Sequence, residues 1–141
     1  MYKNILVPLD GSFVAEAILP EVKKLARAFE ANIILLRVVM VHTIPGIDPT
    51  KAQVAAVEKA EKYLDGIKES LEKEGFSVDT HVRFGNSAEE ILLHSQSNDI
   101  DIIALSTHGG SGIGKWLMGG TADKVIRHST KPIFLVRSST P

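Results

Sequence analysis

Four short apolar runs and one alternating run, Ser77 to Arg83, separated by stretches whose apolar residues recur every three or four positions, constrain this chain more than any other feature. Ile5 to Leu9, Ile33 to Val39, Ser77 to Arg83, Ile102 to Leu105 and Ile133 to Val136 read as strands. Ile33 to Val39 is rich in branched residues and apolar at consecutive positions, the pattern of a strand covered on both faces, as parallel sheets demand. Between the runs, Ala15, Ile18, Val22, Leu25 and Phe29 line one face of a first helix, and Val57, Ala60, Leu64, Ile67 and Leu71 line one face of a longer one. Pro20 lies inside the first pattern. Its missing donor and its clash with the preceding turn make that helix either kink there or start near it. Glu58 with Lys62 and Glu69 with Lys73 mark the solvated face of the second helix, which Glu74-Gly75 ends. Ser87 and Glu90 form a capping-box pair at the start of a third, and Ala122, Val125 and Ile126 trace a fourth. Five strands separated by four helices predict right-handed crossovers and an α/β domain, a parallel sheet with helices on both faces.

Composition narrows what such a domain does. The 141 residues, 44% of them hydrophobic, fit one domain spanning 1–141 with a core of ordinary size. A formal charge of -1, with no run of five like charges, argues against a nucleic-acid partner, which needs a basic face. The chain has no cysteine, which excludes disulfides, thiolate metal sites and a cysteine nucleophile and points to a reducing cytoplasm. Met1-Tyr2-Lys3-Asn4 runs straight into strand-like residues without a signal-peptide segment, and Arg37 interrupts the longest apolar stretch short of a membrane span. We therefore expect a cytoplasmic protein with no membrane partner.

Chemistry concentrates after the fourth strand. Ser106 to Thr121 reads S-T-H-G-G-S-G-I-G-K-W-L-M-G-G-T and is expected to be a strand-to-helix loop, with six glycines between positions 109 and 120. Glycines let main-chain N–H groups converge on an anion, and the dipole of the following helix adds to the attraction. Phosphate fits such a cradle, although a surface loop without a ligand fits the composition as well. Gly109, Gly114 and Lys115 approach the P-loop pattern, but Trp116 stands where that loop requires a hydroxyl for magnesium, and no dinucleotide fingerprint is present. Open parallel sheets bind ligands beyond the carboxyl ends of their strands, where strand order reverses. If the first and fourth strands are neighbours there, Pro8-Leu9-Asp10 and Ser106 to Gly109 share one crevice suited to a nucleotide. His42, His81, His94 and His128 show no common ligand spacing, so no metal site is assigned.

K-N-I-L-V-P-L-D-G-S at the start, I-I-L-L-R-V, V-R-F-G-N-S-A-E-E-I-L and the stretch from Asp101 to Arg137 resemble the universal stress protein family in order and spacing, over essentially the whole chain. The resemblance implies a doubly wound sheet of order 3-2-1-4-5. It also implies the family's ATP-binding branch, marked by G-x-x-G, nine residues, then glycine followed by Ser or Thr. Gly109 and Gly119 stand at the second and third glycines, Ser106 replaces the first, and Gly120 replaces the hydroxyl residue, with Thr121 one place later. Loss of that hydroxyl removes a donor worth about 1 to 2 kcal/mol to a charged acceptor while the backbone donors remain. Carried over by position, the ATP contacts are Pro8, Leu9, Asp10, Val38, Leu105, Ser106, His108, Gly109, Gly119, Gly120, Thr121 and Ala122. Magnesium or manganese would be held mainly by the phosphates. Each residue has a plainer use: Asp10 as a turn cap, Val38 as core, His108 as a loop histidine, Lys115 and Arg127 as solvated cations.

Phosphoryl transfer needs an oriented nucleophile and charge neutralisation at the leaving oxygens, and neither is evident. The expected function is thus an ATP-binding regulatory or stress-survival module with little or no hydrolysis. A slow ATPase or nucleotidyl enzyme using His108, and a nucleotide-free dimeric scaffold, remain as alternatives. A response-regulator receiver is disfavoured because Arg83-Phe84-Gly85 stands where its phosphorylated Asp belongs, and a flavodoxin because its phosphate loop follows the first strand. The apolar edge Ile133 to Val136 predicts a homodimer, since natural sheets cover such edges, and a further protein partner of unknown identity is expected.

Overall fold

In the computed structural model, residues 2–10, 16–40, 45–46, 48–97, 99–108 and 120–138 are described. The five expected runs form strands β1 (Asn4–Pro8), β2 (Asn32–Val39), β3 (Val78–Phe84), β4 (Ile102–His108) and β5 (Ile133–Ser138). They alternate with helices α1 (Leu19–Phe29), α2 (Pro49–Lys73), α3 (Ser87–Ser97) and α4 (Gly120–His128). The sheet order is β3-β2-β1-β4-β5, and every pairing is parallel. The expected topology holds in full.

Alternate residues of each strand feed two cores, one per face. Ile5, Val7, Ile33, Leu35, Ile102 and Ala104 pack under α1 and α2, together with Val22, Ala26, Leu64 and Leu71. Leu6, Leu36, Ile103 and Leu105 pack under α3 and α4, against Ala88, Ile91 and Val125. Both faces of the central strands are therefore dry, which is why their sequences are apolar without alternation. At the edges, β3 carries Asp79, Thr80, His81 and Arg83 with Phe84 exposed at its end, and β5 leaves Leu135 45% exposed.

Local chemistry sets the helix ends. Pro20 occupies the first turn of α1, where its missing N–H costs nothing, so the helix starts there and no kink is needed. Its far end closes on Glu30, held in the left-handed region at φ 52°, with the Ala31 N–H donating to the Ala26 carbonyl at 2.9 Å. Asp48 caps α2 by accepting from the Thr50 N–H at 3.0 Å, and Gly75, at φ 96°, ends the same helix. Of the two expected ion pairs on α2, Lys73 approaches Glu69 at 3.7 Å. At α3 the expected capping box is replaced by Asn86, whose Oδ1 accepts from the Glu89 N–H at 3.2 Å. The Glu90 carboxylate is instead drawn to Arg83, 2.9 Å away, because a guanidinium offers more than a lone backbone amide.

At the amino end of the sheet, the Asp101 carboxylate accepts from the N–H groups of Lys3 and Asn4, both at 2.9 Å. The Asn4 side chain donates to the Asp99 carbonyl at 2.7 Å and accepts from Asn32 at 3.0 Å. These bonds fix the relative height of β4, β1 and β2, and hence the height at which their carboxyl ends emerge.

Candidate functional site

Strand order reverses between β1 and β4, and the two strands part at that point. Their pairing runs through Ile5 with Ile102 and Leu6 with Ile103, then stops. On one side β1 stays with β2 as far as Pro8 opposite Leu36, and the Leu9 N–H adds a bond to the Leu36 carbonyl at 2.8 Å. On the other, β4 stays with β5 up to His108 opposite Ser138. Residues 7–10 and 104–108 are thus unpaired with one another, at the carboxyl end of a sheet whose neighbours remain zipped. This is the place that open α/β sheets offer to ligands.

The expected loop begins later than the sequence suggested. Ser106, Thr107 and His108 belong to β4, because β5 continues far enough to pair with all three through Val136, Arg137 and Ser138. Ser106 is half-buried and shares its face of the sheet with Ala104, while Thr107 is buried. Gly109, Gly119, Lys115 and Trp116 lie outside the described residues. The chain is described again from Gly120, the first residue of α4, where Gly120 and Thr121 are exposed and Ala122 is half-buried.

On the β1 side, Pro8 is half-buried and Asp10 is exposed at the rim. Leu9 and Leu105, 3% and 5% exposed, put their side chains in the two cores, so any ligand contact they make is through the main chain. Val38 packs on the α3 and α4 face near the carboxyl end of β2. Arg127 is bonded to Asp123 one helical turn away, at 2.9 Å, rather than being turned toward the crevice. Among the described residues no group of three or more His, Asp or Glu is gathered closely enough to hold a metal, and no helix is long and apolar enough to cross a membrane.

The sequence model of the universal stress protein family matches residues 1–137. The chain belongs to that family. Universal stress protein MJ0577 of Methanocaldococcus jannaschii is 28% identical, over 97% of this chain and 96% of its own. Its solved structure superposes on this universal stress protein with a TM-score of 0.82 at 31% identity, covering 100% and 99% of the two chains. A family protein of Arabidopsis thaliana, solved with AMP bound, matches with a TM-score of 0.75 at 13% identity over 98% of this chain and 93% of that one. A universal stress protein in complex with cAMP gives 0.75 at 16% over 98% and 99%. At those identities the last two speak for the fold.

Two polar clusters in this universal stress protein were not foreseen. Tyr63 of α2 meets Arg37 of β2, whose guanidinium carbon lies 5.7 Å from the ring centroid. Burial, then the charge of the Glu16 carboxylate and hydrogen bonding to it, with a smaller push from Asp10, raises the Tyr63 hydroxyl well above its ordinary pKa, against the lowering influence of Arg37. The second cluster lies at the β3 edge. His94 of α3 is 3% exposed, its ring stands 4.8 Å from that of His81, and Arg83 Nη1 lies 3.3 Å from its Nδ1. Arginine only donates, so Nδ1 accepts and the imidazole is neutral with its proton on Nε2. Burial, then the charges of His81 and Arg83, lowers the His94 pKa to about 4. Spacing of 13 residues gave no sign that these two histidines touch; the β3-to-α3 turn brings them together. Gly85, at φ 140°, makes that turn, and a Cβ there would press on Glu90 Oε2 at 3.2 Å.

Proposed function

We propose that this universal stress protein binds an adenine nucleotide, ATP by preference, in the crevice between β1 and β4, and acts as a nucleotide-dependent regulatory module. The observation that carries the reading is the parting of β1 and β4 beyond Leu6 and Ile103 while both outer pairings continue. It supports a site with Asp10 on one wall, Ser106 and His108 on the other and the amino end of α4 beyond them. The family pattern at Gly109 and Gly119 supplies the phosphate amides, and Asp10 and Val38 serve the nucleoside. The AMP and cAMP complexes among its structural relatives support the ligand class. A divalent ion, magnesium or manganese, rides on the phosphates. Little or no hydrolysis is expected, since Asp123, the acid nearest the start of α4, is engaged with Arg127.

The exposed Leu135 on the β5 edge supports a homodimer formed edge to edge through β5. We place the protein in the cytoplasm, with a protein partner that reads its nucleotide state and with neither nucleic acid nor membrane as partner. The test is to release small molecules by denaturing the purified protein, then to titrate ATP with and without magnesium while following phosphate release. Bound or titrating adenine nucleotide without turnover supports the reading. Turnover abolished by His108→Ala would favour a slow ATPase, and no nucleotide at all would leave a scaffold.

A further inference from the structure

Beneath the first turn of α4 the fold buries a hydroxyl that it does not use. Thr107 is 8% exposed, and with His94 and Ser95 it makes up the buried polar residues among those described. The other two are bonded: Ser95 donates to the Leu92 carbonyl at 2.7 Å, and His94 Nδ1 accepts from Arg83 at 3.3 Å. The Thr107 hydroxyl makes no such bond, and its oxygen is not one of the side-chain atoms closed off from solvent. Side chains alternate along β4, so Thr107 follows Ile103 and Leu105 onto the α3 and α4 face, one step nearer the carboxyl end. That face is roofed by α4 through Val125 and Ile126. Because β4 and β5 are parallel, α4 must run back from the carboxyl end of the sheet to the amino end, which sets Gly120 and Thr121 over the end of β4. The main chain of Thr107 pairs with Arg137 of β5, while β1 has already parted from β4 at that height.

Valine has the same shape and suits a strand as well, and it would fill this place without taking a hydroxyl out of water, a cost of about 1 to 3 kcal/mol when no bond replaces the lost one. The hydroxyl therefore calls for an acceptor from outside the fold. Its position says which kind. The unbonded amides and the dipole at the start of α4 draw negative charge, so an anion seated there brings acceptor oxygens down toward Thr107. We propose that Thr107 is a phosphate-binding residue of the nucleotide site, its hydroxyl donating to a phosphate oxygen held at the amino end of α4. This rests on the nucleotide reading above and deepens it. Gly120 leaves α4 without the hydroxyl that the family pattern carries at that position, and the space where its side chain would stand is open. Thr107 supplies a hydroxyl from the strand below instead, which keeps a side-chain donor on the phosphates although the helix itself lacks one.

Calorimetric titration of ATP into wild type, Thr107→Val and Thr107→Ser tests this, alongside thermal unfolding of the three proteins without nucleotide. Valine keeps the shape and removes an unbonded hydroxyl, so the unliganded Thr107→Val protein should melt at or above the wild-type temperature. Its affinity for ATP should fall roughly tenfold or more, the worth of a hydrogen bond to a charged acceptor. Serine keeps the hydroxyl, and Thr107→Ser should stay within about threefold of wild type, less than one neutral hydrogen bond. A valine variant with wild-type affinity overturns the inference while leaving the nucleotide reading intact. Equal losses of affinity in the two variants also overturn it, because the side chain would then act by its packing. A valine variant that melts below the wild type does the same, since the hydroxyl would be serving the fold. A wild type that binds no adenine nucleotide removes the parent reading and this one together.

Discussion

Acidification should unload this fold through one residue, His94. The ring is almost fully buried, and its Nδ1 accepts from Arg83, which also holds Glu90 at 2.9 Å. Protonation would turn that acceptor into a second donor facing a guanidinium, with the His81 ring at 4.8 Å on another side. In the folded state the pKa is about 4, against 6.5 for an unperturbed imidazole. Between those values the unfolded chain binds the extra proton and the folded chain refuses it, so stability rises with pH across the window. The contribution is complete above pH 6.5 and is lost as the pH falls toward 4. A displacement of two to three units at 1.36 kcal/mol each amounts to up to about 3 kcal/mol, a large share of the stability of a small domain. Urea unfolding of wild type and His94→Gln at half-unit steps from pH 7.5 to 4 measures it. Gln cannot titrate, and its carbonyl can still accept from Arg83. Other carboxylates titrate alike in both proteins and cancel in the difference. The wild type should lose up to about 3 kcal/mol more than the variant over that range. Parallel curves would refute the reasoning, since they would mean that His94 takes up its proton in the folded state as readily as in the unfolded one.

Three further outcomes are expected. Gly120→Ser restores a hydroxyl at the family's position, and a Cβ there meets nothing within 4 Å, so ATP should bind roughly fivefold to thirtyfold tighter by calorimetry, about 1 to 2 kcal/mol. Asp101→Ala removes two bonds from backbone amides to a carboxylate at the amino end of the sheet and should cost about 2 to 3 kcal/mol in urea unfolding, far from the site. Glu30→Gly relieves an exposed side chain of its left-handed backbone and should raise stability by up to about 1 kcal/mol in thermal unfolding.

Sheet topology was legible because doubly covered strands must be apolar at every position, and Ile33 to Val39 and Ile102 to Leu105 are. The start of α1 at Pro20 was one of two readings the sequence allowed, and the unneeded N–H of the first turn decides it. Strand ends were less readable. Ser106 to His108 look like loop by composition, yet they pair with β5 because pairing depends on a partner some thirty residues away. The cap of α3 was misassigned for a similar reason: Glu90 is taken by Arg83, a contact that local pattern does not encode. Arg37, Tyr63 and Glu16 were invisible as a group, since they come from β2, α2 and the segment before α1 and none carries a motif. The expectation that Asp10, Val38, Ser106 and Gly120 serve one site came from the family resemblance, and what the structure adds is the sheet order that sets β1 beside β4.

The central claim is that the parted ends of β1 and β4 hold an adenine nucleotide against Asp10. Calorimetric titration of ATP into the wild type and into Asp10→Ala tests it most directly. The account predicts saturable binding by the wild type and an affinity lowered about tenfold or more in the variant, the loss of a hydrogen bond to a charged group. Absence of heat with any adenine nucleotide, or equal affinity in the two proteins, would contradict it.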